Sequence, residues 1–153
     1  MEKIKTIIET ILNVMGVKIE NVALKKDNLS KNKETIEVNI EMASRDAERF
    51  LRERADGLNA LQYLIRLLLI RVGVEQFIVL DINNHKETRK NELNEIATKS
   101  AKKVRRTKKP LTLESMSAYE RRIIHLKLAE LPDIVTESIG EEPERRLVIR
   151  LYP

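Results

Sequence analysis

Apolar residues recur at helical spacing at the start of the chain. Ile4, Ile7, Ile8, Ile11, Leu12 and Met15 form one stripe of an amphipathic helix, and Gly16 follows where such helices commonly end. Residues 17–24 read as a strand and residues 25–34 as a polar stretch. From Thr35 to Met42 apolar and polar residues alternate strictly, which predicts a strand with one buried face. Ser44 is the expected N-cap of a short helix reaching Leu51. A polar loop over residues 52–56 separates it from residues 58–72, a segment too long and too apolar for a strand and so read as a buried helix closed by Gly73. Residues 76–82, apolar but for Gln76 and Asp81, are expected to be a strand covered on both faces, with Tyr63 and Phe77 in the core.

A second pattern starts after residues 83–87, which read as a boundary. Leu93, Ile96, Ala97, Ala101 and Val104 make another helical stripe, which Pro110 ends. Residues 111–113 suit a short strand. Ser117 and Glu120 then have capping-box spacing, opening a helix to about Leu131. Two further strands, 135–139 and 146–152, flank a turn at 140–143. The order of elements predicts an α+β protein of two small domains, residues 1–84 and 85–153. The first should be a three-stranded sheet backed by helices, the second a smaller sheet with two helices.

Composition narrows the function classes. The 153 residues are 42% hydrophobic but only 3% aromatic, so the cores are aliphatic. With no cysteine, disulfides and thiolate metal sites are excluded. His85 and His125 are the only imidazoles and lie far apart, so neither a metal nor another cofactor is expected. No nucleophile–base set, phosphate loop or paired carboxylate motif is present, which predicts a non-enzymatic protein. No apolar run approaches bilayer length and no signal-peptide pattern opens the chain, so a cytoplasmic protein without membrane insertion is expected.

Charge supplies the direction. Residues 1–85 carry 13 Lys and Arg against 13 Asp and Glu; residues 86–109 carry 10 against 3; residues 110–153 carry 6 against 8. The whole positive excess of the chain therefore sits in the middle segment, with Lys102, Lys103, Arg105 and Arg106 at its peak. A localised positive field is what polyanion binding uses. Just beyond it, Arg121 and His125 stand four residues apart, on one face of the predicted helix. A permanent cation beside a titratable imidazole can grip phosphate and an unpaired base. Such a spacing also arises on ordinary solvated helix faces; the neighbouring Arg122, the basic segment, and Arg145 and Arg146 favour the binding reading.

The residues from Glu120 to His125, followed by those from Thr136 to Ile149, resemble the Arg-x-x-x-His (R-three-H) domain, which is associated with single-stranded nucleic acid. Leu58-Asn59-Ala60-Leu61-Gln62-Tyr63-Leu64 resembles the helix after the nucleotide-clamping loop of a type II KH domain, and Leu80-Asp81-Ile82-Asn83 its exit strand. KH followed by R-three-H is the layout of the bacterial Jag (SpoIIIJ-associated) family. The resemblance implies a regulator that binds single-stranded RNA, linked to cell division or envelope growth, with a homodimer or a second small KH protein as partner. Single-stranded DNA is a further candidate ligand.

One departure from the family stands out. The resemblance places Arg52, Glu53, Arg54 and Ala55 where KH domains carry Gly-x-x-Gly, whose glycines let phosphates reach the backbone N–H groups. Both glycines are replaced. Clamping by this loop is therefore not expected, and the alternative is an adaptor whose KH-like domain serves interaction or dimerisation. The binding residues expected from sequence are then Arg121, Arg122, His125, Lys102, Lys103, Arg105, Arg106, Arg145 and Arg146.

Overall fold

A computed structural model describes residues 1–27 and 34–153. The chain divides into two compact units, Met1–His85 and Lys86–Pro153. Most of the polar stretch 25–34 lies outside the described residues.

In the first unit, α1 (Glu2–Val14) buries Ile4, Ile8 and Leu12. It ends in a Schellman motif: Gly16 at φ +73 donates to the Asn13 carbonyl, and the Val17 N–H to that of Leu12. Val17 thus belongs to the helix cap, and β1 (Ile19–Asp27) starts two residues later than the apolar pattern suggests. β1 pairs antiparallel with β2 (Thr35–Met42), and β2 pairs parallel with β3 (Phe77–Ile82), giving the sheet order β1-β2-β3. Like the central strand β2, β3 alternates between buried Ile78, Leu80 and Ile82 and half-exposed Phe77, Val79 and Asp81. The expectation of cover on both faces is therefore corrected: only one face packs on the core. A guanidinium, Arg66, lies 5.1 Å from the Phe77 ring centre, a cation–π contact.

Helix α2 (Ser44–Arg71) carries both predicted helices and the loop between them. Ala43, not Ser44, occupies the N-cap, and no side chain bonds the free N–H groups there. The helix is broken at Arg52, whose ψ of 160 leaves the helical region, and at Glu53, Arg54 and Ala55, whose φ values are 50, 64 and 62. Three consecutive non-glycine residues thus hold the left-handed region. Beyond the break, Gly57 lies so close to Phe50 that a β-carbon on it would sit 2.8 Å from the Phe50 Cα. The second segment ends in another Schellman motif, through Gly73 and the Val74-to-Leu69 bond. Tyr63 is two-thirds exposed on its outer face, so it is not a core residue. Beyond β3, the Asn83 side chain both accepts from the Met42 N–H (3.0 Å) and donates to the Met42 carbonyl (2.9 Å), imitating a strand neighbour for the end of β2.

The second unit places two helices on one face of a small antiparallel sheet. Helix α3 (His85–Thr107) buries Leu93, Ala97, Ala101 and Val104. Strands β4 (Leu111–Thr112), β5 (Ile134–Ile139) and β6 (Arg146–Leu151) form the order β4-β6-β5. Helix α4 (Ala118–Ala129) ends two residues earlier than predicted and adds Ile124 and Leu128 to the core. Among the described residues, no helix is long and apolar enough to cross a membrane, and no cluster of potential metal ligands occurs.

Candidate nucleic-acid interface

The capping box fixes the start of α4. Ser117 Oγ accepts from the Glu120 N–H, while Glu120 Oε2 accepts from the Ser117 N–H. The other Glu120 oxygen accepts from Arg89 Nε of α3 at 2.7 Å, and Arg89 also reaches Glu92 at 3.0 Å. The hydrogen bond to Glu120 raises the Arg89 pKa above its ordinary value. Helix α4 is thereby fixed at its N-terminus both to its own backbone and to α3. Sequence spacing predicts the box but not Arg89, since a tertiary ion pair 31 residues apart leaves no periodic signal.

Arg121 and His125 do share one side of α4, but their settings differ. Arg121 is 7% exposed. Its Nη1 donates to the Met116 carbonyl at 2.6 Å and its Nη2 to the Glu142 carboxylate. The expectation of an open cation beside His125 is thus corrected: burial and two acceptors engage this guanidinium in joining α4 to the β5–β6 turn. His125 is exposed, and its Nδ1 shares a hydrogen bond with Thr136 Oγ1 of β5. That bond fixes the ring and leaves Nε2 as the nitrogen open to a ligand. Arg122 is exposed and meets no acid among the described residues.

The two arginines after the turn separate. Arg145 Nε donates to Ser138 Oγ at 3.0 Å, on the β5 face that also carries Thr136. Arg146 pairs with Ile139 in the ladder, two exposed positions on the sheet face opposite buried Leu147 and Ile149. Strand alternation therefore turns Arg146 away from the helices, so it does not flank the α4 side as expected.

The basic helix divides by angle. Ala97, Ala101 and Val104 face the core; Lys99, Lys102, Lys103 and Arg106, at i, i+3, i+4 and i+7, share the opposite face. Lys99 pairs with Glu95 at 3.5 Å. Lys102, Lys103 and Arg106 are exposed and meet no carboxylate among the described residues. Arg105 lies off this face and is engaged instead. Its Nε and Nη2 donate to the two Asp133 oxygens at 2.7 and 2.6 Å, a fork that closes the α4–β5 turn onto α3. Their hydrogen bond raises the Arg105 pKa and holds the Asp133 carboxyl below its ordinary range. Of the cations expected to bind from α3 and α4, those left open are thus Lys102, Lys103, Arg106 and Arg122, with His125 beside the last. Arg52, Glu53, Arg54 and Ala55 belong to the first unit.

Residues 91–151, from α3 through β6, match the R-three-H domain family. The chain is 40% identical over 116 residues to RNA-binding protein KhpB of Clostridium symbiosum, covering 75% of this chain and 52% of that protein. It is 35% identical over 153 residues to RNA-binding protein KhpB of Bacillus subtilis (strain 168), covering 97% of this chain and 72% of that protein. The chain belongs to the KhpB (Jag) family. It spans about half the length of the Clostridium relative. A third KhpB protein, from Lactiplantibacillus plantarum, is 33% identical over 95 residues, covering 61% of this chain and 30% of that protein.

Proposed function

We propose that this KhpB-family chain is a non-enzymatic RNA-binding protein of the cytoplasm whose second unit grips single-stranded RNA. Lys102, Lys103 and Arg106 supply the electrostatic attraction, Arg122 and His125 the closer contacts, and Arg121 holds the turn that shapes the site. The observation that carries this reading is the row of cations on the outer face of α3 that meet no carboxylate among the described residues. A helix stabilised only for solubility would interleave acids there, as it does at Glu95–Lys99. The R-three-H match and the naming of the relatives as RNA-binding proteins support the same ligand. The family resemblance extends the reading to RNA-level regulation linked to cell division or envelope growth.

Binding to single-stranded RNA, single-stranded DNA and duplex across a salt series tests it. Each phosphate contact on a single strand adds about 0.7 to the slope of log affinity against log salt. Replacing Lys102, Lys103 and Arg106 with alanine should flatten that slope by about 2 and cost more than tenfold in affinity at low salt. An unchanged slope sinks this face as the binding surface. Single-stranded DNA bound as well as RNA would widen the ligand to either strand.

A second reading has its own observation. Tyr63, Leu64, Leu67 and Ile70 are exposed along one side of α2. We infer that the first unit is a KH-like domain, supported by its three-stranded sheet with a broken helix between β2 and β3. Its apolar α2 face would then dock a second copy or another small KH protein, as an adaptor needs. Sedimentation with and without RNA separates the readings: a stable dimer indifferent to RNA, dissociated by Leu67→Glu, favours the adaptor.

A further inference from the structure

The outer strip of α4 has a composition that phosphate binding does not explain. Tyr119 is 70% exposed and Leu126 56% exposed. With Arg122 they stand at i, i+3 and i+7, so all three share one side of the helix over about 10 Å of its length. Exposed Ala129 and His125 continue the same arc toward β5. The only acid in the α4 sequence, Glu120, is engaged by Arg89 and by the Ser117 N–H, so no free carboxylate of this helix faces the strip. The buried side of the helix is already complete with Ile124 and Leu128, so Tyr119 and Leu126 serve no packing in the unit.

We propose that Tyr119, Arg122 and Leu126 form a stacking platform for an unpaired nucleobase, with the Tyr119 ring as the stacking plane and Leu126 as its apolar floor. The inference rests on the RNA-binding reading of the second unit and adds what that reading lacks, a contact to bases rather than to backbone. The chemistry favours a base over a protein side chain because a cation borders the apolar strip on the side of Arg122 and His125. A phosphate attached to a stacked base meets that border. Stacking on an aromatic ring tolerates any base, so the platform distinguishes unpaired from paired strands rather than one sequence from another. Duplex, whose bases are stacked on one another, gains nothing from it.

The test compares an oligoadenylate of about ten nucleotides with an abasic chain of the same length and charge. Wild type should prefer the oligoadenylate by about tenfold. Tyr119→Ala should bind both alike, with the salt slope unchanged, while Tyr119→Phe keeps the preference. Leu126→Ser should weaken the preference severalfold. Arg122→Ala should instead flatten the salt slope by about 0.7. The chain has no tryptophan, so Tyr119→Trp provides a single reporter whose fluorescence stacking should quench. A wild type that binds both chains equally overturns the platform while leaving electrostatic RNA binding intact, as does a Tyr119→Ala variant with undiminished preference. A wild type that binds neither at low salt overturns the RNA reading and the platform with it. If the strip serves a protein partner, Tyr119→Ala leaves every nucleic-acid affinity unchanged.

Discussion

Two helices of this chain offer solvent opposite chemistry. The second half of α2 exposes Tyr63, Leu64, Leu67 and Ile70, whereas α3 exposes Lys102, Lys103 and Arg106. Their inner faces are alike, each an apolar stripe at helical spacing that packs on a three-stranded sheet. The inner faces fix the fold, so the difference outside carries information about partners. The units also differ in how polar groups are used. The second is held by three arginines on fixed acceptors: Arg89 on Glu120, Arg105 on Asp133 and Arg121 on Met116 and Glu142. The first concentrates its unusual geometry in one break, where three residues hold positive φ and Gly57 allows a close crossing.

Four substitutions probe that contrast, and hydrogen exchange resolved by residue assigns each effect to its unit. Gly57→Ala should be the most severe. Its β-carbon meets backbone atoms that cannot swing aside, so the first unit should lose about 3 kcal/mol. Exchange in the second unit should not change; faster exchange in both would mean that the two cores are not independent. Arg121→Ala removes a buried charged donor and should cost the second unit about 2 kcal/mol. If stability holds and RNA binding alone is lost, Arg121 is a ligand contact rather than a brace.

Ala55→Gly should act in the opposite direction. Its φ of 62 is strained for alanine and free for glycine, so the first unit should gain about 1 kcal/mol. A loss instead would show that the methyl group, which packs against the core, outweighs the strain. The smallest effect belongs to Asp133→Asn, which should lower the melting temperature of the second unit at neutral pH. Because the fold holds the Asp133 pKa down, its stabilisation is present above the ordinary carboxylate range and lost as pH falls through the lowered value. The gap between wild type and variant should therefore close in acid. A gap independent of pH would assign the effect to geometry instead of charge.

Much of the fold was legible because each element repeats a simple period. Alternation at Thr35–Met42 and the stripe from Leu93 to Val104 correspond to β2 and α3. Local chemistry marked the ends: Gly16 and Gly73 close Schellman motifs, and Ser117 with Glu120 makes the capping box. Errors arose where a residue's surroundings come from distant sequence. Residues 77–80 are apolar throughout, yet the sheet is covered on one face only, and half the β3 side chains remain outside the core. Tyr63 fits the apolar run of its helix but projects from the uncovered side.

The candidate site divides along the same line. The basic segment, the Arg121–His125 spacing and the altered loop at Arg52–Glu53–Arg54–Ala55 are properties of sequence, because charge and helical periodicity are local. Which cations stay open is not local. Arg121 and Arg105 are as basic as Arg122 and Arg106, but the partners that engage them, Glu142 and Asp133, lie 21 and 28 residues away. Strand alternation in the folded sheet likewise turns Arg146 from the helices while Arg145 stays with Ser138. Sequence alone determined where positive charge collects. Tertiary structure decided which of those charges became struts and which stayed exposed, since an ion pair depends on distances only the folded chain creates.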